Sequence, residues 1–116
     1  MEPFERLESR VRSYSRAFPA LFARARGAEL YARDCAYCHA ADGSGMNWIG
    51  SFLQPGPPDM RTEAFAKTFD ADRFAALTLA APRGTSMPSF RHTLSPEEAD
   101  AIAAYVREAF VEPAQD

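Results

Sequence analysis

The sequence is poor in the residues that staple or chelate: two cysteines and two histidines stand among 116 residues. A disulfide framework for a small domain needs more than one pair of cysteines. A structural zinc site takes four ligands, usually as two pairs. Here Cys35, Cys38, His39 and the distant His92 are the whole supply, at a spacing that fits no common zinc module. No apolar run approaches the length of a bilayer span, and the longest stretch, near Ala75–Ala81, is short and alanine-rich. A net charge of −3 argues against a general nucleic-acid binder. Met1 opens onto Glu2-Pro3-Phe4-Glu5, without the basic n-region and apolar h-region of a secretory signal. No strand pattern, repeat or low-complexity segment is present, so the βαβ setting of a thioredoxin-like Cys-x-x-Cys is missing too.

What remains is one small domain of ordinary composition, 47% hydrophobic and 25% charged. Its charge is uneven. Residues 1–33 hold seven Arg against four Glu, and the rest of the chain six basic against twelve acidic residues. A basic N-terminal arm on an acidic body suits a docking or membrane-proximal segment, and equally a solvated helix. Phe4, Leu7, Val11, Tyr14, Phe18 and Leu21 recur in steps of three and four, the period of one helical face. That stripe faces its own domain or a partner helix. Pro19 breaks it, so a first helix is expected near 4–17 and a second from Pro19 to about Cys35.

From Ala40 to Asp59 glycines and prolines interrupt any regular element, and so long a loop in a small domain is usually functional. Short helices are expected near 62–68 and 71–80, the second capped by Asp70. A loop from Ala81 to Leu94 carries Met87. Ser95-Pro96-Glu97-Glu98 then opens a last helix with a capping box, and Ile102, Tyr105, Val106, Ala109 and Phe110 form its apolar face. The fold class is all-α with long loops.

The segment Asp34-Cys35-Ala36-Tyr37-Cys38-His39 holds both cysteines and one of the two histidines. On a helical turn, positions i and i+3 project to one side, so two thiols at that spacing reach the two vinyl groups of one haem. A histidine immediately after them is placed to ligate the iron. Cys-x-x-Cys-His is therefore read as an attachment site for one covalent haem c. Size agrees: so small a chain with two long loops buries a meagre core unaided, and a porphyrin supplies an apolar centre. The haem-free chain is expected to be largely unfolded.

The other face of the iron has Met46, Met60, Met87 and His92 as candidates, besides an open position. Met46 follows His39 by only seven residues, too few to cross the ring. Met60 abuts an expected helix start. Met87, in the flexible run Gly84-Thr85-Ser86-Met87-Pro88, has the reach, and its thioether favours ferrous iron and a raised potential. Met87 is favoured. Met46 and Met60 otherwise pack against the ring or a core, and His92 is otherwise a loop histidine.

With these residues in place the chain resembles the small, single-haem, His/Met-ligated cytochromes c of bacterial type, over about residues 27–110. Gly27, Tyr31 and Cys35 fall four apart, as on the family's N-terminal helix, and Ile102 and Tyr105 match the partner positions on the C-terminal helix that crosses it. "RGTSMPSF" and "LSPEEADAIAAYV" are similar to the ligand loop and final helix. "LQPGPPDM" resembles the proline-rich loop of members associated with dehydrogenases and terminal oxidases.

The resemblance implies a cytochrome c fold, with crossing terminal helices and long loops around the haem. It also implies that a carbonyl of Pro55, Pro57 or Pro58 accepts a hydrogen bond from the haem histidine. Arg83 and Trp48 are implied as contacts to a haem propionate, although a solvated arginine and simple ring packing explain them as well. Residues 1–26 have no counterpart in the minimal domain. The division expected is therefore 1–26 as a helical extension, 27–112 as the cytochrome domain and 113–116 as a tail.

The expected function is one-electron transfer by a carrier rather than an enzyme. It would run between a periplasmic or membrane-bound donor, such as a dehydrogenase or quinol-oxidising complex, and an acceptor such as a terminal oxidase. Redox proteins would dock transiently at the haem edge. The alternatives are a haem-based gas sensor or haem enzyme, in which Met87 is labile or absent, and a haem-bearing subunit of a larger complex assembled through residues 1–26. Haem c implies, by the family's maturation, a periplasmic or membrane-anchored site facing the periplasm, with a leader or anchor removed from this sequence.

Overall fold

The computed structural model describes residues 5–6, 9–10 and 19–115, and the expected first helix at 4–17 lies mostly outside them. Helix α1 is described over Pro19–Asp34, its first described residue being the proline expected to stand in a first turn. It runs into the single turn α2 (Ala36–His39), and a loop with a 3₁₀ turn at Gly50–Phe52 follows. Thr62 caps α3 (Glu63–Thr68) by accepting from the Phe65 N–H, and Asp70 caps α4 (Ala71–Ala80) by accepting from the Arg73 N–H. Helix α5 (Pro96–Val106) carries the expected capping box, with Ser95 and Glu98 exchanging side-chain and backbone bonds. No strand occurs among the described residues.

One departure lies at the C-terminus. Sequence periodicity carries the last helix straight through Phe110. Instead, α5 widens at Arg107–Val111 into a π-helical turn, in which the Glu112 N–H donates to the carbonyl of Arg107, five residues back. A last turn, α6 (Glu112–Gln115), follows. Such wide turns re-aim the side chains beyond them. Phe110 lands against Tyr31 and Tyr105, with ring centroids 5.5 and 5.8 Å away.

The fold is organised by α1 crossing α5. A Cβ on Gly27 would collide with the Ala101 carbonyl oxygen and lie 3.1 Å from Tyr105 Cβ, so only glycine lets the two backbones approach this closely. Tyr31 and Tyr105 meet there at 5.3 Å, and Leu30, Ile102 and Val106 are fully buried beside them. Arg24 and Arg26 bridge to Glu108 and Glu98, each at 2.9 Å, so part of the basic N-terminal charge is matched within the fold. The division at 26/27 falls inside α1, which runs unbroken through it. No described helix is long and apolar enough to cross a membrane.

Candidate haem-attachment site

The helical ladder of α1 extends one residue past its end, with the Cys35 N–H donating to the Tyr31 carbonyl at 2.8 Å. The N–H groups of Cys38 and His39 both donate to the Cys35 carbonyl, at 3.3 and 3.0 Å. This is the helical turn on which residues three apart share a side. The two cysteines form no disulfide, and Cys35 is buried and Cys38 half-buried. Burial pushes the Cys35 thiol up to about 12, so it is held protonated and uncharged. Burial likewise lowers the pKa of His39 and keeps its imidazole neutral, the form that binds iron.

These residues face a cleft of about 250 Å³. Its walls are the attachment turn with Asp34 and Tyr37, the proline loop Leu53–Pro58, and the loop that carries Met87. The walls are mostly apolar, as a porphyrin requires. Among the four expected rivals for the second axial position, Met87 alone lines the cleft. Met46 is 72% exposed, Met60 is buried at 1% in the hydrophobic core, and His92 is exposed. Pro57 lines the cleft beside Pro55 and Pro58.

Two expected contacts are not brought there. Trp48 is 79% exposed and packs edge-on against Phe52 at 5.6 Å, and Arg83 is exposed outside the cleft walls. No proline carbonyl accepts from His39, whose Nδ1 is buried without a hydrogen-bond partner. The donor set still fits haem c, for two thiols, a neutral imidazole with an unsatisfied buried nitrogen and a thioether line one apolar cleft. When bound, haem iron supplies one-electron exchange between ferric and ferrous states.

Contacts made by three side chains escape a reading of the sequence. Asn47 donates from its side-chain amide to the carbonyls of Ala36, at 3.1 Å, and Tyr37, at 2.9 Å. The Tyr31 hydroxyl donates to the Ala40 carbonyl at 2.7 Å. Ser89 donates to the Leu79 carbonyl at 2.6 Å and, with the bond from the Phe90 N–H to the Thr78 carbonyl, ties the Met87 loop to α4. Their partners lie nine to eleven residues away in sequence, a separation that no periodic pattern marks. Residue type is the only signal: asparagine and serine in loops beside helix ends often satisfy backbone groups.

Comparison with known proteins agrees with this geometry. Residues 22–106 match the profile of the family described as cytochrome C oxidase, cbb3-type, subunit III. Over 83 residues the chain is 34% identical to cytochrome c6 of Limnospira maxima, covering 71% of this chain and 88% of that protein. Over 87 residues it is 31% identical to the cytochrome c subunit of alcohol dehydrogenase (quinone) from Gluconobacter oxydans, covering 72% of this chain. The chain spans 18% of that subunit's length. A 31-residue stretch is 61% identical to the diaminobutyrate–2-oxoglutarate transaminase of Wolinella succinogenes but covers 7% of that enzyme, too little to bear on transamination.

Fold, cleft and donor set define a domain for haem-based electron transfer. The chain belongs to the cytochrome c family, whose members bind haem c covalently.

Proposed function

We propose that this chain is an electron carrier holding one haem c, attached at Cys35 and Cys38 and ligated axially by His39 and Met87. The observation that carries this reading is that these four residues, up to 52 positions apart in the chain, line a single cleft. Met87 as the second ligand closes the iron to substrate, which separates a carrier from a gas sensor or haem enzyme. Pro57 serves as a wall of the pocket. Arg83 and Trp48, outside the cleft, are left with at most a role at its rim.

Partners are redox proteins that dock at the cleft mouth. Tyr37, a cleft residue, is 65% exposed, and Trp48 and Phe52 are exposed in the loop that Asn47 ties to the attachment turn. The donor is a dehydrogenase or quinol-oxidising complex and the acceptor a terminal oxidase, in line with the family description and the dehydrogenase subunit among the relatives. Because that relative is the cytochrome c subunit of a dehydrogenase, membership of a larger complex is the second reading. Residues 1–26 would then extend the cytochrome unit at 27–112 toward such a complex, with 113–116 as a tail. The site of action is the periplasm or its membrane face.

The test is maturation in a host that assembles haem c, comparing wild type with Cys35→Ala, Cys38→Ala and the double variant. Wild type is expected to keep its chromophore through acid-acetone extraction, and the double variant to lose it entirely. Full retention by the double variant would rule out covalent attachment at this turn.

A further inference from the structure

The attachment turn α2 is a helix of four residues, too short to satisfy its own C-terminal carbonyls. Each must find a donor elsewhere. The Ala36 carbonyl takes the Ala40 N–H at 3.0 Å and the Asn47 amide at 3.1 Å. The Tyr37 carbonyl takes the same amide at 2.9 Å. The His39 carbonyl takes the Gly45 N–H at 2.8 Å. Asn47 thus holds the carbonyls of both residues that stand between the two cysteines. Its other end is held as well, for its Oδ1 accepts from the Gly50 N–H at 2.6 Å. That loop is pressed against the turn: a Cβ on Gly50 would lie 2.7 Å from the Cys38 carbonyl oxygen.

His39 stands two residues after Tyr37 on the same turn, its N–H bonded to the Cys35 carbonyl at 3.0 Å, so the backbone that Asn47 clamps fixes where its side chain leaves the chain. We infer that Asn47 is a positioning residue for the haem histidine, fixing the Ala36 and Tyr37 peptide planes and through them the orientation of His39. The inference rests on the reading of Cys35–His39 as the haem-attachment turn. It assigns to a loop asparagine a task that in a longer helix would fall to the backbone alone.

Asn47→Asp separates this role from simple loop support. It keeps an oxygen for the Gly50 N–H but sets a second oxygen, in place of the amide nitrogen, against two carbonyl oxygens. Holo protein matured in one host would be examined as wild type, Asn47→Asp, Asn47→Ala and Ser51→Ala. Ser51→Ala removes only the loop bond from Ser51 Oγ to the Trp48 carbonyl, 2.7 Å long, and serves as the control. The readings are the spread of haem-methyl shifts in the ferric proton NMR spectrum, which reports the histidine plane, and the reduction potential.

The expected result is an altered methyl pattern and a shifted potential in Asn47→Asp, smaller changes of the same kind in Asn47→Ala, and wild-type readings in Ser51→Ala. If Asn47→Asp does not yield folded holo protein, Asn47→Ala decides on the same two readings. Wild-type methyl patterns and potentials in the Asn47 variants, with only a lower melting temperature, would overturn the inference and leave Asn47 a loop brace. Wild-type protein without covalent haem would instead sink the proposed function, and this inference with it.

Discussion

Tyr31 joins the helix crossing to the Cys35–His39 turn through one atom. Its ring packs between Tyr105 and Phe110, while its hydroxyl reaches the Ala40 carbonyl just past His39. Burial raises its pKa, so the hydroxyl stays a donor throughout the neutral range. Tyr31→Phe keeps the ring and deletes the bond, leaving a carbonyl that retains the longer bond from the Gly43 N–H. A loss of about 1 kcal/mol is expected in denaturant unfolding. Met87→Ala should remove the methionine–iron charge-transfer band of the ferric protein and lower the reduction potential, since a thioether favours ferrous iron. At this scale the scarce residue types at fixed spacing, Cys35, Cys38 and His39, are ones that line the cleft. The sequence was not legible where the partner is a backbone carbonyl, as for Asn47, since any residue offers one.

Helices read well wherever their ends carry side-chain chemistry. Asp70 and Ser95 cap as their residue types demand. Ser95→Ala removes the bond from the Glu98 N–H to Ser95 Oγ, keeps the one from the backbone N–H of residue 95 to Glu98, and should cost about 1 kcal/mol, measured by thermal or denaturant unfolding. The close approach at Gly27 was legible through the family resemblance, which places Gly27 and Tyr31 at the helix crossing, and its consequence is large. Gly27→Ala forces α1 and α5 apart and should destabilise by about 2 kcal/mol, as overpacking does. The π-helical turn at Arg107–Val111 was not legible, because apolar residues at 102, 106 and 110 satisfy a regular helix equally well. Ala40, which ends the attachment turn at φ 65° and ψ 162°, gave no warning either. An L-residue rarely takes that conformation, and the strain sits one residue from His39.

Across the molecule, the carboxylates set the response to acid. Ser44 and Arg61 hold Asp42 below its ordinary range, Arg61 does the same for Asp59, and the Ser95 backbone with Arg26 does so for Glu98. A carboxylate with a depressed folded pKa stabilises the fold above its unfolded value, and that contribution is lost as pH falls through the folded one. Stability should therefore hold through neutral pH and decline below about pH 4. In Glu98→Gln the decline should be shallower, as read from denaturation midpoints across that range.

The charge imbalance seen in the sequence resolves in part at this scale, since Arg24 and Arg26 pair at the surface with Glu108 and Glu98. What the cleft does as a whole is tested most directly by the absorption spectrum of the purified protein, oxidised and reduced, before and after carbon monoxide. A haem c spectrum with the ferric methionine–iron band and no response to carbon monoxide is the predicted result, marking a closed iron and a carrier. Ready binding of carbon monoxide with no such band would contradict it, placing Met87 off the iron and giving the site to a ligand.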